Sequence, residues 1–334
     1  MARILITGGA GYVGSHCAKA LCSAGHECVI FDDLSSGRRD FVRWGPLVEA
    51  DIRDSTALDH IFSVQQIDAV LHFAALSSVA ESMAHPGRYH DINVHGTQVL
   101  LDAMVRARVG VLVFSSSCAI YGEPEHVPIT EASTCHPVNP YGVSKLTCER
   151  MMDDFGKVHG IKSVRLRYFN AAGADAGSEL GEDHDSESRL IPLALDALTG
   201  RRPALSLYGS DYSTPDGTAI RDYIHVSDLA DAHLRGLQRL LDGGDTIALN
   251  LGTGTGASVR QVLDTIWHVT GRVVPVQRAP RRPGDPAMLV ADAKKAKEFF
   301  GWSPERSDLK TIVSDAWRWH RKRFQRADAL GSGQ

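Results

Sequence analysis

The chain has no apolar run near the roughly 18 residues that a membrane-crossing helix requires, so no integral membrane role is expected. Its six cysteines (Cys17, Cys22, Cys28, Cys118, Cys135 and Cys148) include no Cys-x-x-Cys pair. None of the 15 histidines falls in a His-Glu-x-x-His arrangement. His85, His90 and His95 recur every five residues, a spacing that suits no single helical face, and no metal site is expected. Positive charge is not in excess: 36 Lys and Arg stand against 40 Asp and Glu, a net charge of −4. That balance argues against nucleic acid as a partner. Scattered thiols without a recognisable export signal fit a reducing cytoplasm. Internal repeats and long low-complexity stretches are missing too; only the tail from about Arg326, ending Leu-Gly-Ser-Gly-Gln, reads as frayed. What remains is a 334-residue chain, 43% hydrophobic and 23% charged. These values are ordinary for a soluble globular protein of one or two domains.

The first line of sequence carries a nucleotide signature. Arg3 to Thr7 reads as a short buried strand. It runs into Gly8-Gly-Ala-Gly11-Tyr-Val-Gly14 and then a helical pattern with Val13, Cys17, Ala20 and Leu21 on one side. Strand, glycine turn and helix in that order form the context of a dinucleotide fingerprint, in which glycines let the backbone approach a pyrophosphate at a helix N-terminus. A second strand, Glu27 to Phe31, leads to Asp32, 18 residues after Gly14. A carboxylate there can accept hydrogen bonds from an adenosine ribose and repels a 2′-phosphate, which favours NAD over NADP. Arg38 and Arg39 follow closely and could accept such a phosphate. Further apolar strands, Ala69 to Phe73 and Val111 to Phe114, support repeated βαβ units. Asp51-Ile52 and Phe73-Ala74-Ala75 then stand just past strand ends, where a doubly wound sheet binds its ligand.

The second signature is Tyr141-Gly-Val-Ser-Lys145. On a helix these two residues share a face, which would bring the lysine charge near the phenol and lower its pKa. A tyrosine so tuned can exchange a proton with a sugar hydroxyl. Phe114-Ser-Ser-Ser117 offers a hydroxyl, on Ser117, that could hold the same oxygen. Strands and helices alternate to about residue 170. Glycine and acidic residues then dominate Ala171 to Ser188, a long loop of the kind that is often functional, and a helix follows over Leu190 to Thr199. The expected fold is α/β: a doubly wound, mostly parallel, Rossmann-like sheet with a smaller mixed α/β substrate lobe. The expected division is 1–170 for the NAD-binding domain, with some later segments returning to it, 171–325 mainly for the substrate lobe, and 326–334 as a flexible tail.

With these residues in view, the chain resembles the extended short-chain dehydrogenase/reductase family and, within it, the UDP-glucose 4-epimerases. The resemblance rests on six phrases in order: Thr-Gly-Gly-Ala-Gly-Tyr-Val-Gly-Ser-His, Phe-Ser-Ser-Ser-Cys-Ala-Ile-Tyr-Gly, Asn-Pro-Tyr-Gly-Val-Ser-Lys, Arg-Tyr-Phe-Asn, Gly-Thr-Ala-Ile-Arg-Asp-Tyr-Ile-His-Val and Arg-Arg-Pro-Gly-Asp. It implies NAD-dependent 4-epimerisation of a UDP-sugar, most simply UDP-glucose and UDP-galactose, with NAD retained through the cycle. Tyr141 would take the proton of the sugar 4-hydroxyl as the C4 hydride passes to the nicotinamide. The 4-keto sugar would then turn about its phosphate linkage before hydride returns.

By the same resemblance, Ser117 holds the 4-oxygen and Lys145 binds the nicotinamide ribose. Cofactor contacts are implied at Gly8, Gly11, Tyr12, Val13, Gly14, Asp32, Asp51, Ile52, Phe73, Ala74, Ala75, Ser77, Ser115, Tyr141, Lys145, Tyr168 and Phe169. Substrate contacts are implied at Ser117, Tyr141, Asn170, Arg189, Ser206, Leu207, Tyr208, Arg221, Arg282, Asp285 and Leu289. Among these, Tyr208 stacks on uracil, Arg221 and Arg282 grip the diphosphate, and Asp285 meets the uridine ribose. Without the surrounding phrase, Arg221 followed by Asp222 would read as a local ion pair.

Several positions depart from the family pattern. Ser77 stands where a lysine is common, Ile92 where asparagine is common beside the cofactor, and Arg189 where an amide is common. Leu289 is intermediate in bulk, leaving N-acetylated sugars open. Cys118-Ala119 replaces the acid pair that a dehydratase needs. A UDP-pentose pair such as UDP-xylose and UDP-arabinose remains an alternative substrate class. A net dehydrogenase or reductase, or a non-catalytic dinucleotide-sensing protein, is an alternative of a different kind. Dimerisation through Pro86 to Arg108 and Tyr141 to His159 is implied by resemblance alone.

Overall fold

The computed structural model describes residues 1–185, 187–282 and 285–325; the tail 326–334 and the Pro283-Gly284 step of the last family phrase lie outside the described residues. Buried apolar residues near the N-terminus alternate in direction, and that alternation builds the first strands. Ile4 and Ile6 of β1 (Arg3–Thr7) face one core, while Leu5 faces another, as a period of two requires. β1 pairs in parallel with β2 (Glu27–Asp32) on one side and β4 (Ala69–His72) on the other. β3 (Leu47–Glu49) extends the first side; β5 (Val111–Ser117) and β6 (Lys162–Tyr168) extend the second. A seventh parallel strand, Ile247–Leu251, closes the sheet beside β6.

The order 3-2-1-4-5-6 reverses direction between β1 and β4, so a crevice opens at their carboxyl ends. One sheet face is covered by α1 (Tyr12–Ser23) and the Val226–Leu241 helix, whose Leu229, Leu237 and Leu240 pack with Ile4, Ile6 and Leu166. The opposite face carries α2 (Ser55–Val64) and the Gly96–Ala107 and Pro140–His159 helices, through Leu58, Leu100, Met104 and Met152. A separate core gathers Ile191, Leu195, Val262, Ile266, Ile312 and Val313 from three helices in the C-terminal half. Small two- and three-stranded sheets join it, including Leu205–Tyr208 with Val276–Ala279 and Ile220–Arg221 with Met288–Leu289.

Three expectations need correction. β5 does not end at Phe114: it continues to Ser117, pairing Ser115 with Leu166 and Ser117 with Tyr168. Serines persist in this buried strand because Ser115 Oγ meets the Tyr168 hydroxyl at 2.5 Å and Ser116 Oγ donates to Glu149 at 2.5 Å. β4 stops one residue early, since the N–H groups of Phe73 and Ala74 both turn to the Thr7 carbonyl. Pro86 to Arg108 is not one regular helix. A wide turn over His90–His95 separates Pro86–Tyr89 from Gly96–Ala107, and Arg108 ends the run in the left-handed region at φ 59°. Such π turns concentrate at functional sites, and this one carries Asn93, which is 2% exposed.

Candidate active site

The crevice is a cavity of about 940 Å³ walled by the carboxyl ends of β1, β2, β4 and β5 on one side and by the C-terminal lobe on the other. Its first wall is the glycine turn. Gly8 adopts φ +70°, and a Cβ there would stand 2.5 Å from the Ala74 nitrogen. At Gly14 a Cβ would stand 2.3 Å from the Gly8 carbonyl. Only glycine lets these segments approach so closely. α1 begins at Tyr12 with no side-chain cap and no acidic residue in its first turn. Its N-terminus is therefore open to an anion. The backbone fits a pyrophosphate.

Asp32 ends β2 at 7% exposure and accepts from the amides of Ala10 and Leu34, each at 2.9 Å. Burial pushes its pKa up, opposed by those two amides. The arginines that could have accepted a 2′-phosphate are engaged elsewhere. Arg38 donates to Asp183 at 3.1 Å and Asp185 at 2.6 Å, and Arg39 pairs with Glu49. The local charge at the expected ribose position is thus the carboxylate.

Further along, Asn139 caps the Pro140–His159 helix by accepting from the Gly142 amide at 2.8 Å, with Pro140 at the first helical position. That start puts Tyr141 in the first turn, at the cavity wall, and Lys145 one turn deeper. Ser117 lies across from them at the end of β5, on the same cavity wall, where its hydroxyl acts to lower the Tyr141 pKa. The fold brings the three residues to one cavity, but the electrostatics differ from expectation. Lys145 Nζ donates to the Ser115 carbonyl at 2.8 Å and lies 4.7 Å from the centre of the Phe114 ring. Burial lowers the Lys145 pKa to about 8. Burial also raises that of Tyr141, and what opposes the rise is the Ser117 hydroxyl and the Arg189 charge.

The remaining assigned residues line the cavity, with one exception. Asp51 turns away into Arg53, which donates to it through its backbone amide at 2.8 Å and its Nε at 2.9 Å and holds its carboxyl below the usual range. Asp222 is not the partner of Arg221: it is buried and accepts from Thr253, Gly254 and Ala291. Arg221 instead pairs with Asp285, and it donates to the Pro286 carbonyl at 2.8 Å. Arg282 lies 3.9 Å from the centre of the Tyr208 ring, the ring expected to stack on uracil.

Sequence reasoning missed two groups. Asn93 accepts from the Leu76 amide at 2.8 Å and donates to the Leu76 carbonyl at 3.0 Å. It thereby fixes the loop after β4, and a carboxamide is present beside Ile92 after all; its place in a wide helical turn left no local signal. The second group is Glu182, His184 and Glu187, the ligating atoms of which lie within 4.8 Å of one another. Arg189 donates to Glu182, and to His184 Nε2 at 2.8 Å, so a fixed positive charge already occupies this cluster.

The model of the NAD dependent epimerase/dehydratase family matches residues 4–252. A UDP-glucose 4-epimerase of Rhizobium meliloti (strain 1021) is 48% identical over 323 residues, covering 97% of this chain and 98% of that protein. The crystal structure of UDP-glucose 4-epimerase from Brucella ovis in complex with NAD superposes with a TM-score of 0.93. It is 48% identical, and the match covers 95% of this chain and 98% of that one. A UDP-glucose 4-epimerase from Stenotrophomonas maltophila, with bound NAD and formylated UDP-arabinopyranose, gives 0.94 at 41% identity, with coverage of 98% and 100%.

Proposed function

The chain belongs to the NAD dependent epimerase/dehydratase family, and from that premise we propose which of its residues carry the reaction. The protein is an isomerase: it catalyses NAD-dependent 4-epimerisation of a UDP-sugar, interconverting UDP-glucose and UDP-galactose. Neither a pentose-specific enzyme, nor a net dehydrogenase, nor a non-catalytic sensor is favoured beside full-length relatives of this kind.

Bound NAD supplies a hydride acceptor that also returns the hydride to the same carbon. The chain supplies the proton chemistry and the geometry. Tyr141, in its ionised form, takes the proton of the 4-hydroxyl, and Ser117 holds the sugar's 4-oxygen in place. Lys145, fixed by the Ser115 carbonyl, would hold the ribose hydroxyls of bound NAD through its ammonium. Asn170, Ser206, Leu207 and Tyr208 take the uridine, and Arg221, Arg282 and Asp285 take the diphosphate and ribose. Holding the nucleotide firmly leaves the hexosyl group free to turn and present its other face, which is where binding energy is best placed. The observation that carries this reading is the convergence of Ser117, Tyr141 and Lys145 on the cavity that also holds the open glycine turn.

We further assign residues 1–170 with the returning helix Val226–Leu241 and strand Ile247–Leu251 to the cofactor domain, and the rest to the substrate lobe. The active form is a homodimer joined through the helices within Pro86–Ala107 and Pro140–His159. Among the described residues no helix is long and apolar enough to cross a membrane. The free thiols fit a cytoplasmic enzyme.

Incubating purified protein with UDP-galactose, without added NAD, tests the reading. UDP-glucose should form with no net absorbance change at 340 nm. Accumulation of free NADH would replace the epimerase by a dehydrogenase.

A further inference from the structure

The described loop residues 173–185 and 187–189 are fastened to the rest of the protein by cations. Lys19 holds Asp175 at 2.8 Å, Arg38 holds Asp183 and Asp185, and Arg323 holds Asp183 at 2.8 Å. Trp319 Nε1 donates to the Glu182 carbonyl at 3.3 Å. Glu182 and Arg189, by contrast, stand on the cavity wall.

The Glu182 carboxylate is 5% exposed and the Arg189 side chain 35% exposed. The guanidinium lies 5.9 Å from the centre of the Tyr12 ring, at the first residue of α1 beside the glycine turn. An ionised carboxylate buried here is repelled by any phosphate entering the cavity, and Arg189 offsets that charge. Guanidinium binds phosphate through the same planar fork that binds carboxylate. One cation therefore faces two mutually exclusive anions.

We propose that Arg189 is a diphosphate ligand held in reserve by Glu182: a nucleotide diphosphate in the cavity draws the guanidinium away, and the carboxylate competes with it. The inference rests on the nucleotide-sugar reading above. The diphosphate can come from UDP or from the cofactor's own pyrophosphate, since the glycine turn and Arg221 line the same cavity as Arg189.

The test uses the NAD-loaded protein with Arg189→Gln, Glu182→Gln and the double variant. UDP affinity is measured by calorimetry, and NAD retention by the nicotinamide remaining after dialysis. Arg189→Gln should weaken one of the two diphosphates roughly tenfold, the worth of a charge-assisted hydrogen bond. Loss of UDP affinity assigns the contact to the substrate, and loss of NAD assigns it to the cofactor. Glu182→Gln should tighten that same ligand severalfold, because its competitor is gone. If Arg189→Gln fails to fold around an unpaired Glu182, the double variant, a neutral amide pair, should bind the ligand as weakly as the single change predicts. Unchanged affinity for both ligands in the Arg189→Gln or double variant would overturn the proposal. So would a Glu182→Gln variant that weakens the ligand in step with Arg189→Gln. Wild-type protein that fails to bind UDP would instead overturn the nucleotide-sugar reading itself.

Discussion

Lys145 Nζ sits 2.8 Å from the carbonyl oxygen of Ser115, at the end of a side chain only 3% exposed. The active-site cation is thus paid for in stability, and the cost has a pH signature. Burial holds the folded-state pKa near 8, against an unfolded value of about 10.4. Below pH 8 the amine is charged in both states and the ligand-free protein bears the full penalty, about 3 kcal/mol at most. Between about pH 8 and 10.4 the folded state loses its proton first and the penalty fades, so this group's contribution to stability rises with pH. Lys145→Met cannot carry the charge. Its Tm should exceed that of the wild type by most at pH 7, with the gap shrinking towards pH 10. A gap independent of pH would contradict the assignment.

Tyr141→Phe keeps the ring, which packs edge-on to Tyr89 with centres 6.4 Å apart, and removes only the phenol oxygen. Bound NAD and UDP affinity should be unchanged, while turnover falls by roughly two to four orders of magnitude, the worth of a positioned acid–base group. Wild-type kcat in that variant would remove Tyr141 from the mechanism.

Cofactor choice rests on Asp32 and on the engagement of Arg38 with Asp183 and Asp185. Asp32→Ala alone should therefore leave NADP binding poor. Adding Asp183→Asn and Asp185→Asn frees the Arg38 fork, and NADP affinity should rise roughly tenfold beyond the single variant. Titration with NADP compares the two, and equal affinities would show that Arg38 does not reach the 2′-phosphate.

The Tyr141 helix is tied to the sheet by a buried pair. Arg167, on β6, donates to Glu149 through Nη2 at 2.5 Å and Nε at 2.9 Å, and through Nη1 to the Tyr121 hydroxyl at 3.0 Å. Tyr121 in turn donates to Asn250 on the seventh strand at 2.7 Å. Glu149→Ala leaves a buried guanidinium uncompensated and should cost about 3–5 kcal/mol in urea denaturation. Glu149→Met with Arg167→Met should recover most of it. A small loss in the single variant would mean that water reaches Arg167.

How much of this was legible in the sequence depended on whether the signal was local. β1 and the Leu190–Thr199 helix have the boundaries read from the chain, because glycines punctuate them: Gly8 at φ 70° and Gly200 at φ 82°. Ser115–Ser117 looked like the end of a strand, since the partners that let serines stay buried, Tyr168 and Glu149, are 53 and 33 residues away from Ser115 and Ser116. A four-residue spacing places Tyr141 and Lys145 on one face, but it does not say where a long flexible side chain ends. Arg221 was weighed against its neighbour Asp222, whereas its carboxylate partner is Asp285, 64 residues on. The glycine turn and catalytic helix were readable; the charge pairing across the cavity was tertiary and was not.

The account stands on a hydrogen leaving C4 of the sugar and returning to C4 without exchanging with water. UDP-galactose carrying deuterium at C4 should give UDP-glucose with the label retained at C4, in protein to which no NAD has been added. Product that has lost its deuterium to solvent, or label appearing in free reduced cofactor, would contradict it.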